Sequence, residues 1–175
     1  MKKRKKSHFA IWIILALLFI IGLFFDRNIA DFFGLHQNSY VYSFMNFISL
    51  YAFLIPLFIV VCILLSLKSK KNWIRFPIPL LLTLGFVYLL KLVISRERPF
   101  SSELNSFPSN HSASVFAVLH IFKGKSNIIW LIFSILVAFS RIYLGRHFLT
   151  DVIAGIVLGL VIGIFTDKFI KKKLR

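Results

Sequence analysis

Residues 140–151, SRIYLGRHFLTD, place Arg141, Arg146, His147 and Asp151 between two long apolar runs. Ionisable groups at membrane depth are costly and commonly mark function. His147 and Asp151 are four apart, so at the start of a helix they share a face. A carboxylate there can accept a hydrogen from one imidazole nitrogen, fix the tautomer and orient the other nitrogen, as the acid of a hydrolase triad does. Two earlier clusters carry related chemistry. KLVISRERP sets Lys91 and Arg98 seven residues apart, about two helical turns. It closes with Pro99, which biases Arg98 away from helix and is expected to end the helix there. FPSNHSAS opens an apolar run with Pro108, Ser109 and Asn110, a helix-start pattern, and puts His111 in the first turn. Free N–H groups and the positive dipole end make a helix N-terminus an anion site.

Taken singly, each cluster has a plainer reading: cations snorkelling at a helix end, ordinary capping beside a surface histidine, or an ion pair buried between spans. Metal binding is a further reading for two histidines and an aspartate. Lys91, Arg98 and Arg141 oppose it, because they would repel a divalent ion. What weighs the clusters together is the set of elements that must carry them.

The chain has 175 residues, 58% of them hydrophobic, and a mean hydropathy of +0.83, well above a soluble domain. One membrane-embedded domain over residues 1–175 is expected. The reading is all-α and polytopic, with six transmembrane helices at about 9–25, 41–67, 74–94, 109–123, 127–145 and 148–167. Residues 26–40, mixing aromatic and polar groups, are read as a short interfacial helix. The basic start and following apolar run resemble a signal peptide. No small-residue cleavage site follows, so a retained first span is expected. Cys62, the single cysteine, can form no internal disulfide.

The formal charge of +16 does not signal nucleic acid, since the cations punctuate apolar spans instead of coating a face. An anionic lipid surface is the expected partner. Sixteen of the 22 Lys and Arg residues fall at the N-terminus, in the 68–75 and 123–125 loops and in the C-terminal tail. That bias predicts both termini in the cytoplasm. The other six are Arg27, Lys91, Arg96, Arg98, Arg141 and Arg146. Nearly all of these belong to the three clusters, which the six-span topology brings to one non-cytoplasmic side. Lysine, arginines, a helix N-terminus and two histidines together suit a phosphate. The histidines then become a candidate nucleophile and proton donor.

In order and spacing, Lys91…Arg98-Pro99, Pro108-Ser109-Asn110-His111 and Ser140-Arg141…His147…Asp151 resemble the three signature motifs of the type-2 phosphatidic acid phosphatase superfamily. That family includes membrane lipid phosphatases and the vanadium haloperoxidases. The resemblance implies that His147 attacks phosphorus to give a phosphohistidine, with Asp151 orienting it and His111 protonating the leaving oxygen. It implies that Lys91, Arg98 and Arg141 hold the phosphate oxygens, helped by Ser109 and backbone N–H groups, and that no metal or other cofactor takes part. Asn110 stands where the usual motif has glycine, and it is counted with the phosphate-binding residues. Arg96, Glu97, Glu103 and Arg146 match no family-defining position, and His8, His36 and His120 are assigned nothing. The expected substrate is a membrane lipid with a phosphate or diphosphate headgroup, a polyprenyl diphosphate such as undecaprenyl diphosphate first, then phosphatidylglycerophosphate or phosphatidic acid. A carrier or channel for an anionic lipid, and a phosphotransferase using the same site, stay open at this point. The little soluble sequence suits lipids better than haloperoxidase chemistry.

Overall fold

The computed structural model describes residues 2–173, with side chains from Ala10 onward. The side chains of residues 2–6 and of His8, and all of Arg175, lie outside the described residues. The regular elements are helices: α1 (Lys2–Leu35), α2 (Ser39–Ser49), α3 (Tyr51–Lys68), α4 (Asn72–Arg75), α5 (Pro77–Ile94), α6 (Asn110–Ala117), a 3-10 turn (Leu119–Ile121), α7 (Lys125–Tyr143) and α8 (Leu149–Lys173). Five stretches among them are long and apolar enough to cross a membrane: Ala10–Leu35, Tyr51–Lys68, Asn72–Ile94, Lys125–Tyr143 and Leu149–Lys173. Their outer faces expose large apolar side chains such as Phe24, Leu67, Val93, Ile129 and Phe165, as lipid-facing helices do.

The expected fourth span, 109–123, is instead two short pieces, α6 and the 3-10 turn. Its residues are core. Every side chain from His111 to Ala117 is buried, and Val115 and Phe116 pack with Leu54, Val137, Ala138, Ile142 and Val152. The expected second span divides at Leu50, whose extended backbone (φ −67°, ψ 135°) separates α2 from α3. The interfacial helix expected over residues 26–40 is not a separate element. α1 continues to Leu35, and the short helix begins after it, capped by Asn38, whose side chain accepts from the N–H groups of Tyr40 and Val41. Likewise α5 stops at Ile94, ahead of Pro99, where Ser95 turns left-handed at φ 45°.

Glycine decides how closely α6 and α8 pack. Gly155, Gly159 and Gly163 recur every four residues on α8, and a Cβ on each would collide with the carbonyl oxygens of Ser109, Ala113 and Ala117 respectively. The two helices therefore run parallel in backbone contact, the small-residue packing that lipid-embedded helices favour. The N-terminus of α6 thereby comes to lie beside the N-terminus of α8, where the Ser109 N–H donates to the Asp151 carbonyl at 2.9 Å. At the other end of α8, Asp167 holds the Arg75 Nε at 2.7 Å and lies 3.7 Å from His120 Nε2. The C-terminal ends of α5 and α7 and the N-terminal ends of α6 and α8 thus gather at one end of the bundle. α4 and the C-terminal half of α8 meet at the other.

Candidate active site

A cavity of about 390 Å³ opens at the end where these helix termini meet. Its walls include Lys91, Arg98, Asn110, His111, Arg141 and His147, together with Ser49, Tyr51, Asn105 and Arg146. The three clusters, separated by up to about sixty residues of sequence, thus share one cavity. Ser109 and Asp151 are fully buried behind these walls.

The cations are positioned by loops as much as by helices. Lys91, in the last turn of α5, donates Nζ to the Asn105 carbonyl. Arg98 gives its Nε to Asn105 Oδ1 at 2.8 Å and lies 3.2 Å from Glu103. Arg141, near the C-terminus of α7, is 8% exposed, and its Nε has no hydrogen-bond partner in the structure. A buried cation with an idle donor is costly unless an anion arrives to meet it. Gly145, at φ 62°, takes the left-handed turn after α7 that glycine allows most easily. The N–H groups of Arg146 and His147 then return to the Arg141 carbonyl.

His147 follows that turn and is 3% exposed. Burial pushes its imidazole down to about pKa 4, Asp151 pulling up and Arg141 and Lys91 pushing further down. The ring is neutral at pH 7, so it carries a free lone pair. Its Nδ1 lies 3.7 Å from Asp151 Oδ2, beyond hydrogen-bond reach, and has no other partner. Catalytic hydrogen bonds are often this long before substrate binds. Asp151 is itself heavily committed. Its Oδ2 accepts from the Ser106 hydroxyl and from the Phe148 N–H at 2.9 Å, and its Oδ1 from Arg96 at 2.7 Å.

His111 sits in the first turn of α6, one residue after Asn110. Its Nε2 lies 2.8 Å from the Ser49 carbonyl, and its ring packs on Tyr51 with centroids 4.5 Å apart. A carbonyl only accepts, so Nε2 carries the hydrogen and Nδ1 is the acceptor of the neutral ring. Ser109 caps the helix: its Oγ accepts from Ser112, and it does not reach the cavity. The Asn110 amide donates to the Tyr51 hydroxyl at 3.1 Å, and its Oδ1 has no partner. Among the described residues no three His, Cys, Asp or Glu side chains cluster as metal ligands would.

Sequence reasoning missed several contributors. Ser49 and Tyr51 hold His111, Asn105 holds two cations, Ser106 and Arg96 hold Asp151, and Asp26 holds Arg96. Asp26 carried one legible signal, an acid directly at the end of the first apolar run. Its partner, seventy residues away, was not legible.

The PAP2 superfamily model matches residues 72–175. The chain is 31% identical over 150 residues to undecaprenyl-diphosphatase BcrC of Bacillus subtilis (strain 168), covering 77% of each chain. It is 33% identical over 144 residues to phosphatidylglycerophosphatase B of the same organism, covering 69% of this chain and 70% of that one. Among solved structures, the transmembrane PAP2-type phosphatidylglycerolphosphate phosphatase from Bacillus subtilis aligns with a TM-score of 0.65 at 25% identity, over 91% of this chain and 96% of that one. Aquifex aeolicus LpxE aligns with a TM-score of 0.61 at 20% identity, over 82% and 94%, a likeness of fold.

Proposed function

The chain belongs to the PAP2 superfamily, and we propose that it is a multi-pass membrane lipid phosphatase that removes phosphate from a lipid headgroup through a phosphohistidine on His147. The observation that carries this reading is Arg141, buried with an idle Nε, in a cavity that also holds two histidines and two further cations.

In the proposed reaction, the Nε2 lone pair of His147 attacks phosphorus as the bond from phosphorus to the lipid-side oxygen breaks. Asp151 accepts a hydrogen bond from the Nδ1–H, which stays on the ring, and stabilises the charge that grows there. His111, neutral in the empty site and protonated at Nδ1 once the anionic substrate is bound, gives that proton to the departing oxygen. Neutral His111 then takes a proton from water as the water oxygen attacks phosphorus and the P–N bond breaks, releasing phosphate and free His147. Lys91, Arg98 and Arg141 meet the oxygens on which charge shifts in the transition state. The first-turn N–H groups of α6, which Ser109 caps, and the Asn110 amide complete the cradle.

A polyprenyl diphosphate such as undecaprenyl diphosphate is the preferred substrate, with phosphatidylglycerophosphate and phosphatidic acid next. The two Bacillus subtilis relatives, at 31% and 33% identity, support the class without ranking its members. We read the protein as a plasma-membrane enzyme of six passes, the α6 segment serving as the fourth. Both termini are cytoplasmic and the cavity is extracytoplasmic, a placement supported by the basic residues of the 68–75 and 123–125 loops and of the last turns of α8, at the end away from the cavity. The lipid tails stay in the bilayer while only the headgroup enters.

The test is phosphate release by detergent-purified protein, with chelator present, from undecaprenyl diphosphate, phosphatidylglycerophosphate, phosphatidic acid and a soluble diphosphate. We expect release that His147→Ala abolishes. Full release from His147→Ala overturns the mechanism. Labelled phosphate appearing on a lipid or sugar acceptor instead of in solution makes the protein a transferase.

A further inference from the structure

Asp151 is the most enclosed ionisable group of the site, at 0% exposure. One side of it faces His147, and the other is held by residues outside the three motifs. Arg96 Nη1 donates to Asp151 Oδ1 at 2.7 Å and to Thr150 Oγ1 at 2.6 Å. Its Nη2 donates to Asp26 Oδ2 at 2.9 Å. The guanidinium also lies 4.3 Å from the centre of the Phe148 ring. Asp26, on α1 and 8% exposed, accepts from the Thr150 N–H at 3.0 Å and from the Thr150 hydroxyl. One planar, forked cation thus spans two carboxylates from helices that are far apart in sequence, a geometry that lysine cannot reproduce.

These contacts leave Asp151 little freedom. With Oδ1 committed to Arg96, and Oδ2 to Ser106 and Phe148, the carboxylate cannot rotate without breaking a charge-assisted bond. That orientation is the one in which Oδ2 points at His147 Nδ1. We propose that Asp26 and Arg96 are positioning residues for catalysis, a relay through which α1 aligns Asp151 and, through it, His147. The relay rests on the assignment of His147 as nucleophile. It reaches outside the residues that the family model matches, since Asp26 precedes residue 72.

The charged groups around the His147–Asp151 pair give the relay a signature. Lys91, Arg98, Arg141 and His111 line the cavity with His147, while Arg96 and Asp26 lie behind Asp151. Removing Arg96 leaves Asp151 less screened, favours the imidazolium of His147 and moves the acid limb of kcat/KM to higher pH. Removing the Asp26 charge acts in the opposite sense and moves that limb to lower pH. A purely structural role moves neither.

The experiment uses full-length protein in detergent with whichever of the four substrates is turned over fastest. Arg96→Gln, Arg96→Lys and Asp26→Asn are compared for kcat, KM, the pH profile and the thermal midpoint. Asp26→Asn keeps the shape of the side chain and one of its two acceptor oxygens, and the thermal midpoint separates misfolding from a lost relay. We expect kcat to fall about 10²-fold in Arg96→Gln, the scale of a small misalignment of reacting groups, with KM changed less than about twofold. Arg96→Lys recovers part of the loss, and the two acid limbs shift in opposite directions. Activity that falls only with the folded fraction, while kcat per folded molecule and the acid limbs stay at wild-type values, overturns the relay. If His147→Ala releases phosphate like the wild type, the underlying assignment falls and the relay with it. A dead His147→Ala beside unchanged Arg96 and Asp26 variants defeats the relay alone.

Discussion

At the residue scale, the site trades stability for chemistry. Arg141 holds a charge in a buried position with an idle donor. Arg141→Met is therefore expected to lower kcat/KM by about 10²–10³-fold, the usual loss when one transition-state donor is removed. Its thermal midpoint is expected to rise or hold, because an unpaired buried charge has gone. Parallel turnover and melting measurements check both halves, and a destabilised Arg141→Met would argue for a structural cation. His147 shows the same trade. Burial holds its pKa near 4 against 6.5 in the unfolded chain, so the ring stays neutral down to about pH 4. The sign for stability follows: the unfolded chain takes the proton first, so folding weakens as pH falls from about 6.5 towards 4. An NMR titration of labelled histidines, assigned with His147→Ala, is expected to place His147 near 4 in the free protein. A midpoint near 6.5 would mean that the ring is not buried as described. Direct titration also separates His147 from the second ionisation of a phosphate, near 6.

Among the elements, the decisive pair is α6 and α8. α6 has only eight residues, too few to cross a membrane without the 3-10 turn and loop that follow it, yet its first turn carries His111 and its cap is bonded to Asp151. What holds so short a helix in register is backbone contact along Gly155, Gly159 and Gly163. A side chain at Gly159 must push α6 away. Gly159→Val is expected to cost about 1–3 kcal/mol or more, as overpacking does, and to lower activity beyond the loss of folded protein. Melting and turnover on the same preparation measure it, and wild-type values for both would show that the helices can separate freely. The first turn of α6 places His111 on the cavity, the turn at Gly145 brings His147 to it just ahead of α8, and the last turn of α7 adds Arg141.

For the whole molecule, ionic contacts divide between two ends. The cavity end carries Lys91, Arg96, Arg98, Arg141 and Arg146, and the far end ties α4 and the 3-10 turn to α8 through Asp167. With the proposed orientation, Glu103 near the cavity faces the outside and Lys70 beyond α3 faces the cytoplasm. Single cysteines at these exposed positions, in a Cys62→Ala background, test it with a membrane-impermeant maleimide on intact cells. Labelling of Glu103→Cys but not of Lys70→Cys is expected, and the reverse pattern would invert the topology.

Composition and motif spacing by themselves determined the membrane class, the helical fold and which histidines and phosphate-binding cations share the cavity. Apolar runs, cation bias and i, i+4 pairs depend on local order alone, so they are legible along the chain. Lys91, Arg98, His111, Arg141 and His147 could be grouped because each sits at the end of a recognisable run. The tertiary structure decided what hydropathy cannot express. A buried helix such as α6 needs no bilayer-spanning length, because its backbone is covered by protein and its neighbours are glycines. Leu50 divides a run that is apolar throughout, since a single extended residue leaves no trace in hydropathy. Arg96 and Asp26 read as stray charges until folding brought Arg96 onto Asp151 and Asp26 onto Arg96. Pairing between residues seventy apart is set by where helices cross, and no local spacing encodes it.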